Sequence, residues 1–163
     1  MQNPIMTSTM SHASPTSRSA LRDPETRLRA ALASSGHRFT EQRAAVYRFL
    51  RETEEHPSAD DVFTTVRRVI PDISLATVYK SLETLVGCGL AAKLSYGDGS
   101  ARYDGRLDPH HHARCLKCGV VIDVAGHLDG DVLETLGPVA GFGVEGYRLE
   151  LVGRCETCVT AQA

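Results

Sequence analysis

Two Cys-x-x-Cys pairs, Cys115-Leu116-Lys117-Cys118 and Cys155-Glu156-Thr157-Cys158, restrict what this 163-residue chain can become more than any other feature. Each pair makes a turn that aims two thiolates at one point, and two such turns build a tetrahedral four-thiolate zinc site. Four of the five cysteines sit in these pairs rather than spread as a disulfide framework, and the N-terminal stretch MQNPIMTSTMSHASPTSRSA lacks the apolar core of a signal peptide. Metal in a reducing compartment is therefore the expectation. The 36 residues between the pairs exceed the usual ribbon interval, so the site should clip a whole sub-domain shut. Four thiolates leave no open position, which makes the role structural. Cys88, outside both pairs, follows an apolar helix and reads as a small buried hydrophobe.

The same stretch, DGRLDPHHHARCLKCGVVID over residues 104–123, carries a second and harder ligand set. His110 and His112 alternate on an extended segment, so they point one way and His111 the other. Asp104 lies just upstream across a turn, and Asp123 ends the strand expected to pair with residues 112–115. Two imidazoles and two carboxylates suit Fe2+ or Mn2+, with Zn2+ next, rather than a soft-ligand ion. His56, by spacing alone, reads as a surface residue preceding a helix.

Ahead of these sites the apolar period is helical. Residues 1–22, rich in Ser, Thr and Pro with nothing to bury, read as a disordered tail. Asp23-Pro24-Glu25 opens a first helix with Leu28, Ala31 and Leu32 inward, ended by Gly36. Thr40 opens a second, with Val46, Tyr47 and Leu50 on one face. Ser58 caps a third, carrying Asp60 and Asp61 in its first turn and Val62, Phe63, Val66 and Ile70 inward, until Pro71 stops it. Ser74 caps a fourth, SLATVYKSLETLVG, whose Leu75, Val78, Leu82 and Leu85 form a buried stripe. Its opposite face presents Ala76, Thr77, Lys80, Ser81 and Thr84, with Tyr79 at the boundary. Leu90–Asp104 then alternates around Gly97-Asp98-Gly99 as a hairpin.

Short helices followed by a hairpin are the layout of a winged helix-turn-helix, which lays its penultimate helix in the major groove. Net charge argues neither way. Residues 23–103 carry eleven Lys/Arg against eleven Asp/Glu, and 104–163 carry five against nine, so DNA binding would depend on charge placed on one face. No apolar run approaches the ~18 residues of a membrane span. Downstream, residues 112–115 and 120–124 read as strands, Asp129–Leu136 as a short helix stopped by Gly137-Pro138, and Tyr147–Val152 as a third strand delivering Cys155. Such a unit of about 55 residues is small for independent stability. A structural metal and a second copy continuing the sheet would make up the deficit. The expected fold is α+β: a winged helix-turn-helix domain at 23–103, a hinge at 104–109, and a small α/β dimerisation and metal-binding domain at 110–163.

RFTEQRAAV, HPSADDVF, SLATVYKSLETL, KLSYGDGSARYD, HHHARCLKCG and GRCETC, in this order and spacing, resemble the ferric uptake regulator (Fur) family over roughly residues 24–158. The resemblance implies a cytoplasmic, homodimeric repressor that binds a palindromic double-stranded DNA operator. It implies structural zinc at Cys115, Cys118, Cys155 and Cys158. It also promotes His56 to a ligand, in a regulatory site with Asp104, His110, His112 and Asp123. One ligand from the DNA-binding side and the rest from hinge and sheet would let metal select a closed arrangement.

Where iron-sensing members usually carry Glu, this chain has Asp104 and Asp123, which looks like the peroxide-sensing branch. There Fe2+ reacts with hydrogen peroxide and a histidine ligand gains oxygen, with His56 and His110 as the carried-over targets; Mn2+ would support repression without sensing. The alternative is a manganese- or iron-responsive repressor. Pro109, His111 and Tyr147 depart from members with an additional metal site, so one zinc and one regulatory ion per subunit are expected, with His111 and His127 left on the surface. Tyr79 and Thr77 are the expected base contacts, and Lys80 and Arg43 the phosphate contacts. A metalloenzyme is the other class, since two histidines and a carboxylate can hold catalytic metal. No general base, nucleophile or cofactor-binding glycine loop accompanies the set.

Overall fold

The computed structural model describes residues 23–96, 101–125, 140–145 and 149–161. Each of the first four helices starts where a side-chain oxygen can take an orphan backbone N–H. Asp23 accepts from Thr26 N at 2.8 Å to open α1 (Pro24–Ser34), and Gly36 leaves it at φ 71°. Thr40 accepts from Arg43 N ahead of α2 (Glu41–Glu52). Ser58 and Asp61 form a reciprocal capping box on α3 (Ala59–Val66), with N–O distances of 2.9 and 3.2 Å. Ser74 caps α4 (Leu75–Gly87) through Thr77 N at 3.1 Å.

Two expectations need correction here. Helix α3 ends at Val66 rather than running to Pro71: Arg68 N bonds Thr65 O at 3.1 Å and Val69 N bonds Val66 O at 3.0 Å, a tightening into turns. Pro71 has no N–H with which to continue the ladder, and the chain has already left the helix through these turns before reaching it. Ser81 and Thr84 are buried, not on the outer face of α4. Their hydroxyls return to the carbonyls of Thr77 and Lys80, both at 2.8 Å, which removes the cost of burying them. The exposed strip of α4 is therefore Ala76, Tyr79, Lys80 and Glu83.

Leu28 and Leu32 of α1, Val46 and Leu50 of α2, Val62 of α3, and Val78, Leu82 and Leu85 of α4 meet in one fully buried cluster. Each such side chain contributes about 1.5–3 kcal/mol, so this cluster outweighs every surface ion pair around it. Cys88 lies half-buried against it. An antiparallel pair, β1 (Ala92–Ser95) and β2 (Ala101–Asp104), follows in the register Ala92↔Asp104 to Ser95↔Ala101, and buried Tyr103 plugs it into the helical core. The expected turn at Gly97-Asp98-Gly99 lies outside the described residues.

A second sheet has the order β4-β3-β5, with β3 at His111–Cys115, β4 at Val121–Val124 and β5 at Leu151–Gly153. Strands β3 and β4 are antiparallel, whereas β5 runs parallel to β3 in the register Ala113↔Leu151 to Cys115↔Gly153. A short helix, α5 (Glu156–Thr160), follows β5. The strand expected from Tyr147 is seen from Leu151; Tyr147, the helix expected over Asp129–Leu136, and His127 lie outside the described residues. Among the described residues no helix is long and apolar enough to cross a membrane.

Candidate metal centres

The parallel pairing of β5 on β3 solves the spacing of the cysteines. With Cys115 opposite Gly153, and Leu116 N bonded to Gly153 O at 2.8 Å, the knuckle after β3 and the turn after β5 emerge side by side. The four Sγ atoms then lie within 4.8 Å of one another. Cys118 and Cys155 stand 3.6 Å apart, close to the ~3.8 Å that tetrahedral bonds of about 2.3 Å to zinc require. The N–H of Cys155 donates to Cys115 Sγ at 3.3 Å; that bond first, and backbone N–H groups of the knuckle after it, lower the Cys115 thiol to about 5. Cys158, hydrogen-bonded to Cys155 and buried among the other sulfurs, is pushed up to about 12. Four thiolates this close ionise together only around a cation, and the donor set fits zinc.

The second centre gathers side chains from four parts of the chain. Tyr103 N donates to Pro57 O at 2.9 Å, and this bond draws the segment before α3 against β2. His56, expected at the surface by spacing, is consequently only 5% exposed and faces Asp104. The β3–β4 register sets His112 opposite Asp123, as the alternation predicts. His56, Asp104, His110 and His112 each bring one donor atom within 4.8 Å of the others. Asp123 completes the ring: its Oδ1 lies 3.1, 3.2 and 3.7 Å from Nε2 of His56, His110 and His112. Asp104 Oδ2 lies 3.8, 3.1 and 3.5 Å from the same three atoms. Donors bonded at about 2.1 Å to one ion stand roughly 3.0 Å apart at a right angle and roughly 3.6 Å apart at 120°, so these spacings are those of a single coordination shell.

The imidazoles are also oriented for it. Nδ1 of His110 meets the Asp108 carbonyl at 2.7 Å, and Nδ1 of His56 meets the Val121 carbonyl at 3.3 Å. A carbonyl can only accept, so each Nδ1 carries its proton and turns Nε2 inward as a lone-pair donor. Nε2 of His110 and of His112 is buried with no aligned hydrogen-bond partner, although carboxylates lie within ion-pair distance. Lone pairs that converge on a point instead of on each other's protons fit an ion.

Charge is balanced tightly here. Burial works to lower the His56 pKa, but the hydrogen bond and charge of Asp104, with the charge of Asp123, raise it overall. Burial together with the neighbouring His56 and His110 lowers His112. Burial works to raise Asp104, yet hydrogen bonds from His56 and the Arg106 N–H hold it below the ordinary carboxylate range. A dication entering this shell displaces protons from it.

Arg106 and Gly105 belong to the centre although spacing did not single them out. Arg106 N donates to Asp104 Oδ1 at 2.6 Å, and its Nη1 donates to Asp123 Oδ2 at 3.0 Å. Gly105 packs against the end of α2 so closely that an added Cβ would sit 2.1 Å from the Leu50 carbonyl oxygen. Backbone cannot step aside as a side-chain tip can, so Gly105→Ala is expected to cost about 1–3 kcal/mol. Because it follows Asp104 directly, Mn2+ binding should weaken as well. Urea unfolding and Mn2+ titration of the variant check both, and an unchanged midpoint would contradict the close approach.

The expected DNA-contact residues are not equally available. Tyr79 is 44% exposed and Lys80 is exposed beside it. Thr77 is half-buried, with its hydroxyl 2.8 Å from the capping Ser74 hydroxyl. Arg43 is half-buried; its Nη1 donates to the Arg38 carbonyl and its Nε is buried without a partner. Glu83, the acid on this face, is neutralised by Lys93 at 2.7 Å.

Capped helices with a short hairpin, joined to a sheet bearing a four-thiolate centre and a nitrogen–oxygen centre, define the class of metal-responsive regulators with two distinct metal sites. Comparison with known proteins makes this specific. The ferric uptake regulator family model matches residues 34–152, and the chain belongs to that family. The peroxide operon regulator of Bacillus subtilis (strain 168) is 40% identical over 129 residues, covering 78% of this chain and 88% of that protein. The ferric uptake regulation protein of the same organism is 39% identical over 137 residues, covering 81% and 92%. Among solved structures, a zinc-bound manganese uptake regulator is similar at a TM-score of 0.63 and 30% identity, covering 78% of this chain and 98% of that one.

Proposed function

We propose that this protein is a homodimeric, metal-dependent repressor of a palindromic operator whose nitrogen–oxygen centre senses hydrogen peroxide. The observation that carries the proposal is the convergence of three imidazole Nε2 atoms and a buried Asp104 oxygen on one point, with Oδ1 of the more exposed Asp123 at 3.1, 3.2 and 3.7 Å from the same nitrogens. In this reading Cys115, Cys118, Cys155 and Cys158 hold structural zinc, while His56, Asp104, His110, His112 and Asp123 hold Fe2+ or Mn2+. Residues 23–103 bind DNA, 104–109 act as hinge and 110–163 dimerise.

Bound Fe2+ would supply the redox chemistry that activates peroxide: one oxygen atom of H2O2 enters an imidazole carbon, oxidising the ring by two electrons, and the other leaves as water. His56 or His110 is the recipient. Either one, once oxidised at the carbon between its ring nitrogens, carries a proton on both, so Nδ1 can still donate to its carbonyl while Nε2 no longer offers the centre a lone pair. His56 precedes α3 while His110 immediately precedes β3 and His112 lies within it, so the loss of one ligand releases the helical part from the sheet. Support for the peroxide branch comes from aspartate at both carboxylate positions and from the 40% identical peroxide operon regulator. Support for a manganese- or iron-responsive repressor without peroxide sensing comes from the 39% identical ferric uptake regulation protein and from the manganese uptake regulator structure. Dimerisation is favoured by β5, an edge strand among the described residues with all three of its residues exposed, and by Ile122 of β4 across the sheet, which is 52% exposed.

The two readings separate in one experiment. Operator binding is measured for the Fe2+- and Mn2+-loaded proteins before and after near-stoichiometric peroxide, with peptide mass mapping of the same samples. Loss of binding confined to the Fe2+ form, with one oxygen added at His56 or His110, is the expected result; unchanged binding and unmodified histidines favour the metal-availability repressor. For the DNA face, Tyr79→Ala is expected to cost about 1–3 kcal/mol of operator affinity while leaving the dimer intact. Normal binding by a dimeric Tyr79→Ala protein would remove Tyr79 from the interface.

A further inference from the structure

Between Asp104 and His110 the chain makes a compact loop in which one residue touches nearly everything. Arg106 reaches three carboxylates. Its backbone N–H meets Asp104 Oδ1 at 2.6 Å, and its Nη1 meets Asp123 Oδ2 at 3.0 Å. Its Nε lies 2.9 Å from both oxygens of Asp108, and its Nη2 lies 2.6 Å from Asp108 Oδ2. Asp108 in turn offers its carbonyl to His110 Nδ1 at 2.7 Å. The other oxygen of each ligand carboxylate, Asp104 Oδ2 and Asp123 Oδ1, is the one that faces the imidazoles. Every outer oxygen is therefore engaged by Arg106 and every inner oxygen points at the centre.

We propose that Arg106 is a positioning residue for the nitrogen–oxygen centre: by occupying the outer oxygens of Asp104 and Asp123 it confines each carboxylate to a single donor oxygen. The inference rests on the reading of that centre as a metal site. A carboxylate freed from Arg106 can swing to offer both oxygens, which suits larger cations that collect many oxygen ligands. Held as it is, the set stays at three nitrogens and two oxygens, a mixture that favours Mn2+ or Fe2+ over Mg2+ or Ca2+. Asp108 belongs to the same device, because a planar guanidinium gripped along one edge can hold Asp123 only with its remaining donor.

Two effects of Arg106 oppose each other. Its positive charge beside Asp123 repels an incoming dication, whereas its hydrogen bonds pre-set the ligands. The guanidinium side chain is 50% exposed, so solvent and salt screen the repulsion. The hydrogen bonds act by contact and are not screened away. Positioning should win, and losing it should weaken metal binding by about 10–100-fold.

The test uses the full-length zinc-loaded protein with Mn2+ as probe. Mn2+ affinity is measured by electron paramagnetic resonance for wild type, Arg106→Met, Arg106→Lys, Asp108→Asn and His110→Ala. Carboxylate stretching bands are recorded by infrared difference spectroscopy on Mn2+ addition, and zinc content serves as the folding control. Arg106→Met should bind Mn2+ about 10–100-fold more weakly, with one carboxylate changing from the single-oxygen to the two-oxygen band splitting. The other should keep its splitting, because the backbone N–H to Asp104 survives the substitution. Asp108→Asn, nearly isosteric and without the guanidinium anchor, should move both readouts the same way by less. Tighter Mn2+ binding in Arg106→Met, or full recovery in Arg106→Lys, would show that charge alone matters and overturn the proposal. Unchanged affinity and bands in Arg106→Met, while His110→Ala loses Mn2+, would overturn it and leave the metal site standing. Unchanged binding in His110→Ala would instead remove the site and the proposal together.

Discussion

Cys155→Ser is expected to empty the four-thiolate centre and unfold the sheet around it while sparing the helices. The asymmetry follows from where the apolar burial lies. Seventeen residues form the buried cluster of the helices and hairpin, from Leu28 to Tyr103. Of the second sheet's described residues, Cys115 and Val121 are buried, and Leu151 and Val152 of β5 are 39% and 53% exposed. Strand β5 is held by three register positions against β3 and by the thiolates beyond it. Structural zinc is worth about 10–16 kcal/mol in small metal-folded units, more than the sheet can replace by packing. Cys155 also supplies the N–H that stabilises the Cys115 thiolate, and it stands immediately before α5. Metal analysis should fall from about one zinc per chain to near none. Hydrogen exchange should show lost protection over 111–124 and 149–161 with 24–87 retained. A variant that kept its zinc, or lost protection uniformly, would contradict this division.

On the proposed reading, His110→Ala is expected to abolish metal binding at the nitrogen–oxygen centre without disturbing the zinc. His110 Nε2 stands 3.1 Å from Asp104 and 3.2 Å from Asp123, and its Nδ1 ties the ring to the Asp108 carbonyl. Its removal takes out a donor and the link between loop and shell together. Even an outer-shell partner is worth about 10–100-fold in metal affinity, so loss of this donor should exceed that range for Mn2+. Operator affinity in the presence of Mn2+ should then fall to the level of the metal-free protein, a loss of roughly 5–150-fold for typical coupling between sites. Zinc content and the unfolding midpoint of the helices should stay at wild-type values. Retention of Mn2+-dependent operator binding would place the switch elsewhere.

Local signals carried much of the fold. Asp23, Thr40, Ser58 and Ser74 each begin a helix because a side-chain oxygen reaches only the next few N–H groups, an effect written within four residues. The apolar steps Leu28–Leu32, Val46–Leu50 and Val78–Leu82–Leu85 bury as read, since each helix needs one face for the core. Local rules failed where a competing interaction acted. The residues after Val66 left the helix as turns ahead of Pro71, and Ser81 and Thr84 entered the core because a hydroxyl in a helix can satisfy itself on the preceding turn.

The chemistry divides along the same line. Both Cys-x-x-Cys turns and the His110/His112 alternation are properties of a few consecutive residues, and they appear in the structure as the sequence spells them. That Cys155 meets Cys115 depends on β5 running parallel to β3, a pairing across dozens of residues that no spacing encodes. His56 reads as a surface residue by itself; it becomes a buried donor because a single bond from Tyr103 to Pro57 draws two distant strips of backbone together. Arg106 looks like an ordinary loop cation until Asp104, Asp108 and Asp123 surround it. Sequence alone determined which residues could bind metal, because ligand chemistry is a property of side chains. Tertiary structure decided which of them come together, because that depends on donor atoms from separate strands and loops converging within a few ångströms.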